Sequence, residues 1–250
     1  MKSEIPKTGS ILLDYSKAYL YGIRIAFLEL NSYQDLVETF LETEKNKHRD
    51  SFSKAEAQEV AKSYHPDEAA YYDFLEGQYL DRYLELSEFY PHNFRASFLI
   101  HIISFIEYEL KKICDYDYTL YMRDISISDL KGNSGIEKAK IYLSKSCKVD
   151  FDNLNPEWDF INVCRLIRNN IVHEQGILNP LSNHGKQLND FIEKNNYLKI
   201  RSENSSVKIG NLTNQLIITS KVLNDNLLKF AEKFFEKLLI DELKFSDNLG

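Results

Sequence analysis

The chain has little of what turns a backbone: 9 Gly and 5 Pro in 250 residues. An all-β design would need many tight turns, so this scarcity disfavours one and favours long helices. Cysteine is also scarce. Cys114, Cys147 and Cys164 are odd in number, widely spaced and free of any C-x-x-C pair, so neither a disulfide framework nor a zinc site is suggested. No window approaches the ~20 uncharged apolar residues of a membrane span, and Met1-Lys2-Ser3-Glu4-Ile5-Pro6 lacks the charged-then-apolar layout of a leader peptide. A cytoplasmic protein with reduced thiols and no membrane partner is expected. Positive charge is not in excess: the formal net charge is −7, which excludes a broad basic surface of the kind that coats nucleic acid. Any RNA contact must be local.

Apolar residues are plentiful. Hydrophobic residues make up 43% of the chain and charged residues 28%, with 15 Phe and 16 Tyr, so a real core can be buried. The expected class is all-α, or mainly α. Residues 11–45 carry Leu12, Tyr15, Tyr19, Ile23, Phe27 and Leu30, then Leu36, Val37, Phe40 and Leu41, and predict two helices with a break and N-cap at Asn31-Ser32. A polar helix over Lys54–Ser63 and a Tyr-rich helix starting at His65-Pro66-Asp67 follow. Residues 1–90 read as a helical extension and 91–250 as a bundle domain, or the two as one continuous domain.

Pro91-His92-Asn93 predicts the start of a largely buried helix over Phe94 to about Ile113, with Asn93 as cap. Residues 115–133 read as loop, then a helix runs over Ile136–Ser146. Asn155-Pro156-Glu157 starts a helix that reaches His173 and stops near Gly176. Residues 179–196 are polar and Asn-rich. Tyr197–Ile200 and Val207–Ile209 predict a short hairpin, and an amphipathic helix over about Ser220–Leu243 closes the chain.

Chemistry concentrates in Arg165-Leu166-Ile167-Arg168-Asn169-Asn170-Ile171-Val172-His173, where polar residues interrupt the apolar stripe of a predicted helix. Arg165, Asn169 and His173 share a face at i, i+4 and i+8, whereas Arg168 and His173 lie ~140° apart on an ideal helix. Three ways to unite them are open: Arg168 reaches round on its long stem, the helix loosens before Gly176, or subunits share the site. Upstream, Ser97, His101, Ser104, Glu107 and Lys111 form a narrow polar strip. His48, His65, His92 and His184 are scattered without ligand-spaced partners, so no metal site is expected and no cofactor is implied.

Arg168-Asn169 followed by His173, in the spacing Arg-x4-His, resembles the signature of the HEPN superfamily, helical-bundle proteins that include many toxin and anti-phage ribonucleases. The resemblance covers roughly residues 93–176. Glu107 and Lys111, spaced Glu-x3-Lys ahead of it, are similar to a fuller form of the motif in which they support the catalytic pair. What the resemblance implies is a metal-independent endoribonuclease, a hydrolase of toxin or antiviral-defence type. His173 would be the acid/base and Arg168 the phosphate ligand, while Asn169 would orient the imidazole or hold the phosphate. It further implies an RNA substrate, a homodimer that supplies the second histidine, and an antitoxin or defence-system partner. The residue types suit this chemistry, since metal-free cleavage needs proton transfer and a fixed cation at the phosphate. The alternative is a non-catalytic HEPN-like module that binds RNA, a nucleotide or a protein.

Overall fold

A computed structural model of the chain describes residues 8–60, 77, 79–131, 135–201 and 214–243, with side chains described from residue 15 to 51 in the first of these stretches. The fold is mainly α, with a small antiparallel hairpin before the last helix, as the composition and patterning lead one to expect. Helix α1 spans Thr8–Val60. A widened π-type stretch, Glu85–Phe89, runs without a break into α2, Tyr90–Leu120. Helices α3 (Gly135–Lys145), α4 (Glu157–Glu174) and α5 (Asn183–Glu193) follow. Strands β1 (Leu198–Arg201) and β2 (Gln215–Ile218) then lead to α6 (Val222–Glu236), which continues as a π segment, Lys237–Glu242.

The break expected at Asn31-Ser32 does not occur; α1 is one helix of 53 residues, about 80 Å long. Asn31 spends its amide on Asp35 one turn on rather than capping a new helix. Neither Asn nor Ser costs more than a few tenths of a kcal/mol inside a helix. Leu20, Ile23 and Phe27 on one side of Asn31 and Gln34 and Leu41 on the other are all buried, so packing carries the helix through. Of the polar helix expected at Lys54–Ser63, residues 54–60 belong to α1. The remainder of that helix and the start of the Tyr-rich one at His65 lie outside the described residues.

Asn93 is not a cap either. Helical structure already runs through residues 79–89, and Pro91, which has no N–H to donate, follows directly on the widened π-type stretch Glu85–Phe89. Nor does α2 stop at Ile113. Cys114 and Asp117 extend its buried face to Leu120, so residues 115–120 are helix rather than loop. Asp117, 1% exposed, accepts the Tyr142 hydroxyl at 2.8 Å and the Arg123 guanidinium at 3.1 and 3.2 Å. A buried carboxylate of this kind is stable only because it is fully bonded.

The polar segment at 179–196 contains α5. Ser182 Oγ caps it by accepting the Gly185 N–H at 2.9 Å, and Leu188, Phe191 and Ile192 give it an inward face. Strand β1 pairs with β2 in antiparallel register, Leu198 opposite Ile218 and Arg201 opposite Gln215. The strand expected at Val207–Ile209 lies outside the described residues. The partner that the structure supplies, Gln215–Ile218, buries Leu216, Ile217 and Ile218.

The core sits around α2 and α6. Phe234 packs on Trp158 of α4 at 5.7 Å between ring centres, and Phe27 of α1 packs on Phe105 of α2 at 5.4 Å and on Phe235 of α6 at 6.3 Å. Thus α1 and α4 both pack against the α2/α6 pair. Among the described residues no helix is long and apolar enough to cross a membrane.

Replacing Asp117 with alanine leaves the Tyr142 hydroxyl and the Arg123 guanidinium without their acceptor. We expect a loss of about 3 kcal/mol or more, read as a lowered denaturation midpoint in a chain that keeps its helical circular dichroism.

Candidate functional site

Helix α4 begins directly after Asn155-Pro156, with Glu157 and Asp159 in its first turn, where carboxylates suit the helix dipole. Trp158, Ile161, Cys164 and Ile167 bury its inner face. The helix ends at Glu174. Gln175 turns left-handed at φ 55°, and Gly176 follows at φ 79°, a conformation that suits glycine. The exit is firmly tied: Asn170 O accepts the Gly176 N–H at 3.1 Å, Asn170 Nδ2 donates to Ile177 O at 2.8 Å, and Leu216 N–H donates to Gly176 O at 2.8 Å. A bridge between Ile177 and Gln215 joins this end to β2.

Because α4 stays helical through His173, the loosening considered from the sequence is not seen. Arg168 and His173 therefore keep the ~140° separation of an ideal helix. Arg168 does not reach round: its Nη1 donates to Asn169 Oδ1 at 2.9 Å, and no hydrogen bond joins it to His173. His173 is exposed and has no hydrogen-bond partner among the described residues.

The charge around Arg168 sets it apart. The chain has eight arginines, and seven lie beside carboxylates: Arg24 with Glu232, Arg49 with Asp50, Arg82 with Glu85, Arg95 with Glu38, Arg123 with Asp117, Arg165 with Glu137, and Arg201 with Glu88. Arg168 has no carboxylate partner among the described residues, although it is half-buried and its Nε is enclosed without any acceptor. A buried donor on a permanent cation is costly when unmatched, and an anion placed there would relieve the cost.

The other candidates take different places. Arg165 is held by Asn162 and by Glu137 in the first turn of α3. Glu107 does not bond Lys111; its Oε1 accepts the Gly135 N–H at 2.8 Å and so caps α3. Any side chain at Gly135 would collide with that carboxylate. Lys111 is exposed and pairs with Asp115 at 2.8 Å. Glu107 and Arg165 thus both converge on the start of α3, while Lys111 faces outward.

Beyond Arg168, at i+3 and i+7 on the same side of α4, Ile171 and Gln175 line a cleft of about 280 Å³. Its other walls are His92, Asn93 and Ser97 of α2 and Gln215 of β2. No stretch of the sequence marks these residues as one site, because they come together only through the tertiary fold; the one local hint is a histidine beside Pro91. Nδ1 of His92 accepts the Ile218 N–H at 3.1 Å, which fixes the neutral ring with its proton on Nε2. Burial first, then Arg201 and Arg95, pull the His92 pKa down to about 4. Burial pushes the thiols of Cys114, Cys147 and Cys164 well up, so none is poised as a nucleophile.

Comparison with family models, with curated proteins and with solved structures gave no match.

Two expectations follow from these placements. Glu107→Ala should cost about 1 kcal/mol of stability, as loss of a helix cap does, while Lys111→Ala should stay within about 0.5 kcal/mol; paired denaturation curves measure both. For His92, the folded pKa lies below the unfolded value, so the unfolded chain binds the extra proton. Stability should therefore fall as pH drops from about 6.5 towards about 4. His92→Asn, which can still accept the Ile218 N–H, should flatten that slope in a pH series of melting curves.

Proposed function

We propose that this chain is a metal-independent endoribonuclease of HEPN type, with Arg168, Asn169 and His173 as its working residues. The observation that carries the reading is the isolation of Arg168. In a chain of net charge −7, its guanidinium is the arginine head group left without a carboxylate among the described residues, and it is held in place by Asn169. A scissile phosphate is the anion that such a fork fits in pairs of parallel hydrogen bonds.

In this reading the 2′-hydroxyl attacks the adjacent phosphorus, and the bond from phosphorus to the 5′-oxygen breaks. A histidine takes the 2′ proton, a histidine returns a proton to the leaving oxygen, and a 2′,3′-cyclic phosphate results. Arg168 holds the charge that builds on the non-bridging oxygens. One chain keeps His173 on another face of α4 from Arg168, so a second copy completes the site, with the partner subunit's His173 serving Arg168. RNA reaches a local cation, in keeping with the acidic surface. The activity belongs to a toxin or defence effector, restrained by an antitoxin or another partner protein.

A second reading is a non-catalytic module that binds RNA, a nucleotide or a protein through the same fold. It is favoured by Glu107 and Lys111, which serve α3 and the surface rather than the Arg168 and His173 pair.

Purified protein should degrade RNA in the presence of EDTA. We expect His173→Ala to slow cleavage by about 10²–10⁴-fold and Arg168→Ala by about 10²-fold or more. Mixing the two variant subunits should restore part of the rate. Single variants that cut as fast as wild type would refute the assignment, and tight RNA binding without turnover would move it to the second reading.

A further inference from the structure

The cleft at the exit of α4 carries no charge of its own. Among the described residues no Asp, Glu, Lys or Arg side chain lines it, in a chain of which 28% is charged. The two arginines that act on His92, Arg201 and Arg95, are paired with Glu88 and Glu38. A phosphate or carboxylate entering the cleft would lose water and meet no free counter-charge there. A neutral group with apolar faces and a polar edge suits it better, and Ala96, Ile100 and Ile171 supply the apolar contact.

Two of its polar groups have a fixed sense. Nδ1 of His92 is occupied by the Ile218 N–H, so the ring edge that is left is the Nε2–H donor. Oε1 of Gln215 is turned towards Arg201, whose Nη1 lies 3.4 Å away, so the free end of the side chain is its Nε2 amide, beside Gly176. Neither donor has a partner among the described residues. Asn93, Ser97 and Gln175, at the same cleft, can donate or accept. A ligand edge that meets the two fixed donors must offer acceptors. Guanine does so with O6 and N7, and uracil, like thymine, with O4, whereas adenine and cytosine present exocyclic amines.

The place of the cleft gives the base its context. Ile171 and Gln175 follow Arg168 on the same side of α4, within about 10 Å along the helix axis. Single-stranded RNA is read through bases splayed from the strand and hydrogen-bonded at their edges, while cations hold the backbone. We propose that the cleft between α2, the exit of α4 and β2 is a base-binding subsite for the nucleotide beside the phosphate at Arg168, and that it takes a keto base, uracil or guanine, in preference to an amino base. The assignment to RNA rests on the ribonuclease reading; the preference among bases rests on the donors of the cleft.

The test reads binding rather than cleavage. Oligouridylate and oligocytidylate with 2′-O-methyl sugars share one backbone, lack the attacking hydroxyl and differ in the edge that the cleft would meet. The full chain should bind the uridine oligomer at least about tenfold more tightly in fluorescence anisotropy. Gln215→Met keeps the length of the side chain and removes its donor, while Arg201 keeps Glu88. It should weaken binding of the uridine oligomer and leave the cytidine oligomer within about twofold; a general loss of fold would weaken both alike. Equal affinity for the two oligomers, binding of neither, or a preference that Gln215→Met leaves intact overturns the proposal. So does displacement of the uridine oligomer by inorganic phosphate as readily as by uridine monophosphate. Uridine monophosphate that bound as tightly as the oligomer would overturn the assignment to RNA. A chain that discriminates between the oligomers but cleaves no RNA keeps the subsite and loses the ribonuclease reading, and one that cleaves without discriminating does the reverse.

Discussion

Helix α6 buries most of its circumference and leaves a narrow strip, Val222, Lys229, Lys233 and Glu236, to water. Leu223, Leu227, Ala231, Phe234 and Phe235 are fully enclosed, and they point to different neighbours, so α6 must be covered on several sides at once. Helix α2 covers one side and α1 another, while α4 closes a third through Trp158. The constraint reaches the candidate site directly. Trp158 opens α4, and its contact with Phe234 and Phe151 fixes the rotation of the helix that carries Arg168, Asn169 and His173. The direction in which each polar residue of α4 points is thus a consequence of aromatic packing several turns away.

Electrostatics adds a second layer. Carboxylates outnumber cationic side chains, 38 to 31, so a cation in this chain finds a partner easily. Some of these pairs have clear structural roles. Arg95 grips Glu38 with two hydrogen bonds and reaches Thr219 O with a third, tying α1, α2 and the end of β2 together. Lys237 secures Glu157 at the start of α4. Against that background Arg168, without a carboxylate partner among the described residues, is a departure from the local habit.

How much could be seen in advance depended on how local the deciding interaction was. The helical class followed from scarce Gly and Pro, and the limits of α4 followed from Pro156 and Gly176, both of which act within a turn of themselves. Asn31-Ser32 misled because a capping signal is only a preference; the buried faces on either side of it, set by α6, outweigh it. Helix α5 was obscured by its asparagines although Leu188, Phe191 and Ile192 have helical spacing. Asp117 read as a loop residue because nothing nearby in the sequence announces Tyr142 or Arg123. The polar residues of the motif were legible as types, but neither the lack of a carboxylate beside Arg168 among the described residues nor the cleft between His92, Gln175 and Gln215 is written in any short stretch.

The bond from Leu216 to Gly176, with the bridge between Ile177 and Gln215, makes the last turn of α4 and strand β2 a single cooperative unit. A helix end would ordinarily fray by itself. Here, fraying at the exit of α4 also requires a strand from much later in the chain to let go, so His173 is presented from a surface that is local in sequence but anchored like a piece of sheet.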